Sequence, residues 1–317
     1  MIIFDEPTEF QMTLLIQTPP HSEPLISDNV LKYLIPACVS LFVFGLGIFA
    51  TWFKLNLERR RQYRQLKALF YTWVPNLSAP VEAFALSCSD LSARLIASER
   101  LAAEAFGFLS LNTDKLAAID IHQLVKAFIY NSTGEEASNN EQLFYLTSNL
   151  DYLHRLGPEI EAKYQEHYAK ANNLMNDWNT AFMTLTKNTT ALFSELTIKS
   201  QQRQTLENQL RDNAAAWLLI SAQNPQNTTL IYNNLITPNT TALNQYFQTA
   251  PSQDTQVNDL MAAISVISVI YMQWRTSHEG YATVFNNYAG KLRDTYKRLQ
   301  AAVDHFQTNT AIKPICD

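Results

Sequence analysis

YLIPACVSLFVFGLGIFATWF, residues 33–53, is a run of 21 residues without a charge. At ~1.5 Å of rise per residue it makes a helix about 32 Å long, which matches a hydrocarbon core of about 30 Å. Leu, Ile, Val and Phe fill eleven of its positions. Each contributes roughly −0.3 to −0.6 kcal/mol to insertion, and the sum of about −3 to −7 kcal/mol outweighs Pro36, Gly45 and Gly47. A core helix of this length would carry a polar face somewhere. Tyr33 and Trp52 fall where interfacial aromatic belts form. The run is too long, starts too late and lacks the basic leader of a cleaved signal peptide. The reading predicts a single transmembrane helix over residues 31–53.

The flanks predict its direction. Residues 1–31 hold no Lys or Arg and five acids, Asp5, Glu6, Glu9, Glu23 and Asp28. On the other side stand Lys54, Arg59, Arg60, Arg61, Arg64 and Lys67 against the lone acid Glu58. The positive-inside rule therefore puts the tail of residues 1–30 outside and everything after the span in the cytoplasm, at the inner or plasma membrane. With Pro19, Pro20 and Pro24 the tail is too short to fold alone. Residues 54–75 form a basic juxtamembrane helix, whose Lys and Arg also attract anionic lipid at about 1 kcal/mol each. Membrane lipid is thus one expected partner.

Residues 76–317 are expected to be an all-α bundle. No Gly occurs between Gly157 and Gly280, a spacing that starves a β domain of turns and suits long helices. Apolar residues make up 47% of the 317-residue chain, enough for a sizeable core. The net charge of −5 argues against nucleic acid as partner. Cys38, Cys88 and Cys316 have no framework spacing, which suits a reducing compartment.

Periodicity divides the bundle. The spanning helix continues to Trp73 and stops at Pro75. A second helix opens near Pro80 and carries Val81, Phe84, Cys88, Leu91, Leu95, Ala102, Ala105 and Leu109 at helical steps. Asn112 or Thr113 caps a third that runs to about Tyr130. NSTGEEASNN (131–140) is a polar loop, and a helix over 141–156 is expected to end at Gly157-Pro158. The next seam, Ile160, Tyr164, His167, Ala171, Leu174, Trp178, Phe182, Leu185, Leu192 and Leu196, passes on through Leu206 and Leu210 with at most a break near 197–200.

The last seam is the longest: Leu260, Ile264, Ile267, Tyr271, Trp274, His278, Tyr281, Phe285, Tyr288, Leu292, Tyr296, Leu299, Val303 and Phe306. It has the steps of a coiled coil about 70 Å long. Within it LMAAISVISVIYMQW (260–274) is apolar on nearly every face. Its fifteen residues are too short to span, which predicts a core helix surrounded on all sides.

Residues 213–253 contain no Asp, Glu, Lys or Arg over 41 positions. Asn227 and Asn239 are expected to cap short helices there. Charge is depleted and aromatics are enriched at interface cores, so Trp217, Tyr232, Tyr246 and Phe247 are candidate partner contacts. The competing reading is that they pack onto the bundle.

No catalytic pattern emerges. A single Asp151-x-x-His154 falls short of a di-iron bundle, and neither a zinc spacing nor a phosphate-binding Gly loop occurs. His167 and His278 lie on seams as hydrogen-bonded core histidines. The sequons at Asn131, Asn188, Asn227 and Asn239 read as caps and polar surface. No enzyme, cofactor or metal is expected. The reading is a membrane-anchored helical scaffold or assembly subunit acting by protein–protein interaction, with a membrane-associated effector (a bacterial defence or toxin-like component) triggered by a cytoplasmic partner as the alternative and an unrecognised helical enzyme as a lesser one. The spacing Gly47-x-x-x-Thr51 permits close helix approach, so a homo-oligomer, other protein subunits or both are expected as partners.

Overall fold

In the computed structural model, the described residues are 28–111, 113–129, 135–195, 200–222, 224, 226–250 and 254–308, the side chains of 28–33, 35, 115 and 117 excepted. They form α1 (Asp28–Asn76), α2 (Ser78–Ala97), α3 (Asp114–Ala117), α4 (Ile121–Phe128), α5 (Glu136–Ser194), α6 (Gln201–Ser221), α7 (Thr228–Ile231), a π-helical turn (Tyr232–Ile236), α8 (Thr237–Thr249) and α9 (Thr255–Thr308). The chain is all-helical, with no strand among the described residues. Residues 1–27 of the N-terminal tail, Tyr130, Asn131, Leu196, Cys316 and the Tyr33 side chain lie outside the described residues, while residues 28–30 already belong to α1.

The contacts divide into two units, Met1–Gln62 and Tyr63–Asp317. The first is described only by the leading part of α1. From Val39 to Phe53 its large apolar side chains are exposed, Leu41 by 70% and Phe42 by 68%. Two stretches are long and apolar enough to cross a membrane, Pro36–Ala97 and Thr255–Thr308. None of the most apolar part of the first is buried, against 39% for the second.

The second unit is organised by α9. Every residue of its expected seam is buried except Tyr296, which is half-buried. It packs antiparallel to α5, as cross-links between rising and falling numbers show. Tyr288 Oη donates to Glu159 at 2.8 Å, Tyr281 Oη to Glu166 at 2.9 Å, and Asn188 Nδ2 to the Asp259 carbonyl at 3.1 Å. It is antiparallel to α2 as well, with Arg293 bidentate on Glu82.

Two cores share these helices. The C-terminal half of α9 closes one with α2, α4, the end of α1 and the first half of α5, around Phe84, Phe128, Phe285 and Phe306. The N-terminal half closes the other with the later part of α5 and with α6–α8, around Trp178, Leu210, Leu243 and Trp274.

Several boundaries depart from the sequence pattern. The second helix stops at Ala97, and Ser98 turns to extended backbone (φ −65°, ψ 126°). Ala102, Ala105 and Leu109 are therefore not helical. Leu101 leaves the α2 face for the second core, where its N–H donates to Thr228 Oγ1 at 3.0 Å. Tertiary contacts that helix α2 could not reach outweigh the continuing periodicity. The expected helix to Tyr130 is two short ones, because the Asp120 carboxylate caps His122 N at 3.0 Å and restarts the chain.

Gly157-Pro158 does not end a helix. Helix α5 runs through both residues, and residues 136–140 of the expected loop belong to it. Leu153, Leu156, Ile160 and Tyr164 form one unbroken buried face against the first core. That burial outweighs the single helical hydrogen bond that Pro158 cannot donate. Asn239 is likewise not a cap but lies buried inside α8, where its Oδ1 accepts from Asn213 Nδ2 at 2.9 Å. The 260–274 run is not surrounded on all sides. Val266, Val269 and Met272 form a stripe, each more than half exposed.

Candidate membrane segment and contact surfaces

The leading part of α1 presents apolar side chains without a core of its own. Gly45 and Gly47 are open, with nothing within 4 Å of where a Cβ would stand. Thr51 Oγ1 turns inward to the Gly47 carbonyl at 2.8 Å, so that flank offers small groups with the hydroxyl already bonded. Trp52 is 57% exposed, its ring 6.0 Å from that of Phe49. Lys54, Arg59, Arg60, Arg61 and Arg64 are exposed. Lys67 differs from the other five basic residues. It is buried, its ammonium 5.7 Å from the Phe128 ring centroid, and burial lowers its pKa.

The charge-free run folds largely inward. Tyr246 is buried, and Trp217, Tyr232 and Phe247 are half-buried against the second core. Asn227 caps α7 through Leu230 N at 2.9 Å, and its Nδ2 donates to Glu99 at 2.5 Å. What faces solvent is the tip of α6, where Leu218 is 67% and Leu219 81% exposed. All four named aromatics pack against the second core, and the large apolar side chains that the run leaves exposed are those of the neighbouring dipeptide, which charge depletion alone could not single out.

A groove of about 970 Å³ runs along α5 and α9, lined by Lys163, Glu166, Lys170, Val269, Met272 and Tyr281. Glu166 is tied into it by Lys163 Nζ at 2.6 Å and by Tyr281 Oη. Those hydrogen bonds, Lys163 first, hold the Glu166 carboxyl below its usual range. Burial and that carboxylate push Tyr281 up to about 12.

Beneath the seam His167 and His278 meet, their ring centroids 5.3 Å apart. His278 Nε2 accepts from Trp274 Nε1 at 3.1 Å, so its proton sits on Nδ1. The expectation of a hydrogen-bonded core histidine holds for His278 through this bond. It fails for His167, which is 1% exposed and has no hydrogen-bond partner at either nitrogen among the described residues. Burial pulls both to about 4, with His278 adding to the effect on His167. The seam pattern marks both positions as buried but carries no information on their partners.

Elsewhere a buried Arg203 joins α6 to its neighbours. Its guanidinium contacts Asp254, Glu195 at 2.9 Å, Glu207 at 3.2 Å and Gln256 at 2.8 Å. No group of three His, Cys, Asp or Glu suited to a metal ion occurs among the described residues. Comparisons with protein families, with curated proteins and with solved structures find no match.

Proposed function

We propose that this chain is a single-pass membrane-anchored helical scaffold or assembly subunit that works by protein–protein contact. The observation that carries the reading is the leading part of α1. A helix whose bulky apolar residues are exposed in succession from Val39 to Phe53 needs an apolar surrounding, which a bilayer supplies at the right length. The exposed Arg cluster that follows favours the cytoplasmic side for the domain carrying α2–α9. Helix α9, the other long apolar helix, has its seam satisfied by α2, α5 and α8 and carries Arg275, Glu279 and Arg293. It needs no lipid.

Self-association through the Gly47 and Thr51 flank, and capture of partners at Leu218 and Leu219, are the corresponding contact modes. A reporter active only in the cytoplasm, fused after Asp317, is expected to be active. Activity confined to a reporter that works only outside would overturn the sidedness. Crosslinking in membranes at native expression is expected to trap at least a dimer, and a purely monomeric pattern would remove the oligomer from the reading.

A further inference from the structure

Between α2 and α3 the chain crosses the α5–α9 seam without helix over residues 98–111. The crossing lies on the histidine pair. The Ala102 carbonyl faces His278, the Glu104 carboxylate faces His167, and Tyr164 Oη donates to the Glu104 carbonyl at 3.1 Å. Its ends are fixed in the cores, Leu101 in the second and Leu111 in the first, and between them the half-buried Phe106 packs on Phe84, Tyr164 and Phe285. Polar contacts hold the rest. Arg94 Nη2 donates to the Ala105 carbonyl at 2.7 Å, and Arg275 Nη1 to the Ser98 carbonyl at 3.4 Å.

The pair under this crossing is built to be neutral. His278 Nε2 is occupied as an acceptor by the indole N–H, so adding a proton there sets donor against donor and breaks the bond. His167 offers a new proton no acceptor in hydrogen-bond reach. The charged groups around the pair do not supply one. From α5, Glu166 is already engaged by Lys163 and Tyr281. From α9, Arg275 opposes a charge on His278. From the crossing, Glu104 favours a charge on His167 but is held to Arg94 of α2 at 3.8 Å.

We propose that residues 102–110 form an acid-released strap, latched shut by the neutral His167–His278 pair beneath it. Both histidines have folded pKa values below the unfolded 6.5, near 4. Their closed-state contribution is complete above pH 6.5 and is lost progressively as pH falls toward 4. Opening the strap rehydrates the rings, so in that window the open state gains about ten-fold in population per pH unit for each histidine freed. The release uncovers the histidine pair and the half-buried Phe106, while Leu101 and Leu111 stay in their cores and α9 stays packed. The proposal does not depend on the scaffold reading, because it concerns the fold of the domain alone.

The experiment is hydrogen exchange on the full chain in detergent from pH 7.5 to 4.5, corrected for the intrinsic pH dependence of exchange. Strap amides of 102–110 are expected to speed up by at least ten-fold between pH 6.5 and 4.5, with α9 amides unchanged. In the double variant His167→Phe and His278→Gln, which keeps an aromatic ring and an acceptor for Trp274, that acceleration is expected to vanish. Arg94→Met is expected to raise strap exchange at every pH and keep the slope, so it tests the tether should the double variant not fold. A flat wild-type profile, an unchanged slope in the double variant, an Arg94→Met slope that disappears, or strap and α9 accelerating together would each overturn the strap.

Discussion

The ring of Tyr232 lies flat on that of Tyr271, centroids 3.8 Å apart and planes 6° from parallel. The π-helical turn Tyr232–Ile236 carries this tyrosine onto α9 and so closes the charge-free run over the second core. Replacing Tyr232 with Ala is expected to cost about 2–4 kcal/mol, from lost burial and stacking. Tyr246→Glu, which puts a carboxylate at a position 9% exposed, is expected to cost more. Chemical denaturation of the detergent-solubilised chain measures both. Wild-type midpoints for the pair would remove these aromatics from the core.

Arg203 faces three carboxylates with its side chain 6% exposed. Arg203→Met removes the guanidinium that Glu195, Glu207 and Asp254 share, and is expected to cost about 3–5 kcal/mol. Arg203→Lys restores the charge but not the fork that reaches several partners, and is expected to recover less than half of the loss. A lysine variant as stable as wild type would mean that charge alone, not the planar geometry, is what the site requires.

Helix α5 tolerates two poor helix formers at its middle. Nothing lies within 4 Å of a Cβ on Gly157, and Pro158 is exposed. Gly157→Ala is expected to stabilise the domain by about 0.5–1 kcal/mol, and Pro158→Ala by about 1–3 kcal/mol through the restored hydrogen bond. Thermal unfolding followed by circular dichroism reads the rise. A lowered melting temperature in either variant would show that α5 depends on the Gly-Pro pair rather than merely tolerating it.

Leu218 and Leu219 have no packing role that their exposure would allow. Leu218→Ser with Leu219→Ser is expected to change stability by less than about 0.5 kcal/mol. If they form a contact surface, the same pair is expected to abolish co-purification of bound protein. An intact co-purification profile would move the contact elsewhere.

The seam of α9 was legible because its fourteen positions repeat at steps of three and four over one uninterrupted helix. All-helical character followed from the missing glycines. Legibility failed where contacts distant in sequence decide the outcome. Ala102 continues the α2 pattern by spacing, yet the chain has already left the helix at Ser98, and Thr228 accepts from the N–H of the neighbouring Leu101, 127 positions away. At Gly157-Pro158 the local signal is a stop, but the burial of Leu156 and Ile160 carries the helix through. Composition cannot say which face of a helix meets solvent, so Tyr232 and Leu218 looked alike.

Because α9 contributes to both cores, and α2, α5, α6 and α8 all precede it in the chain, neither core can close during synthesis until it has emerged. The apolar faces of the earlier helices wait uncovered for as long as the ribosome takes to translate Thr255–Thr308, several seconds at ~5–20 residues per second. Closure of nearly the whole domain then waits on α9. A nascent chain stalled before residue 255 would be a client for holding chaperones, and a nonsense mutation inside α9 would yield no stable fragment rather than a shortened one.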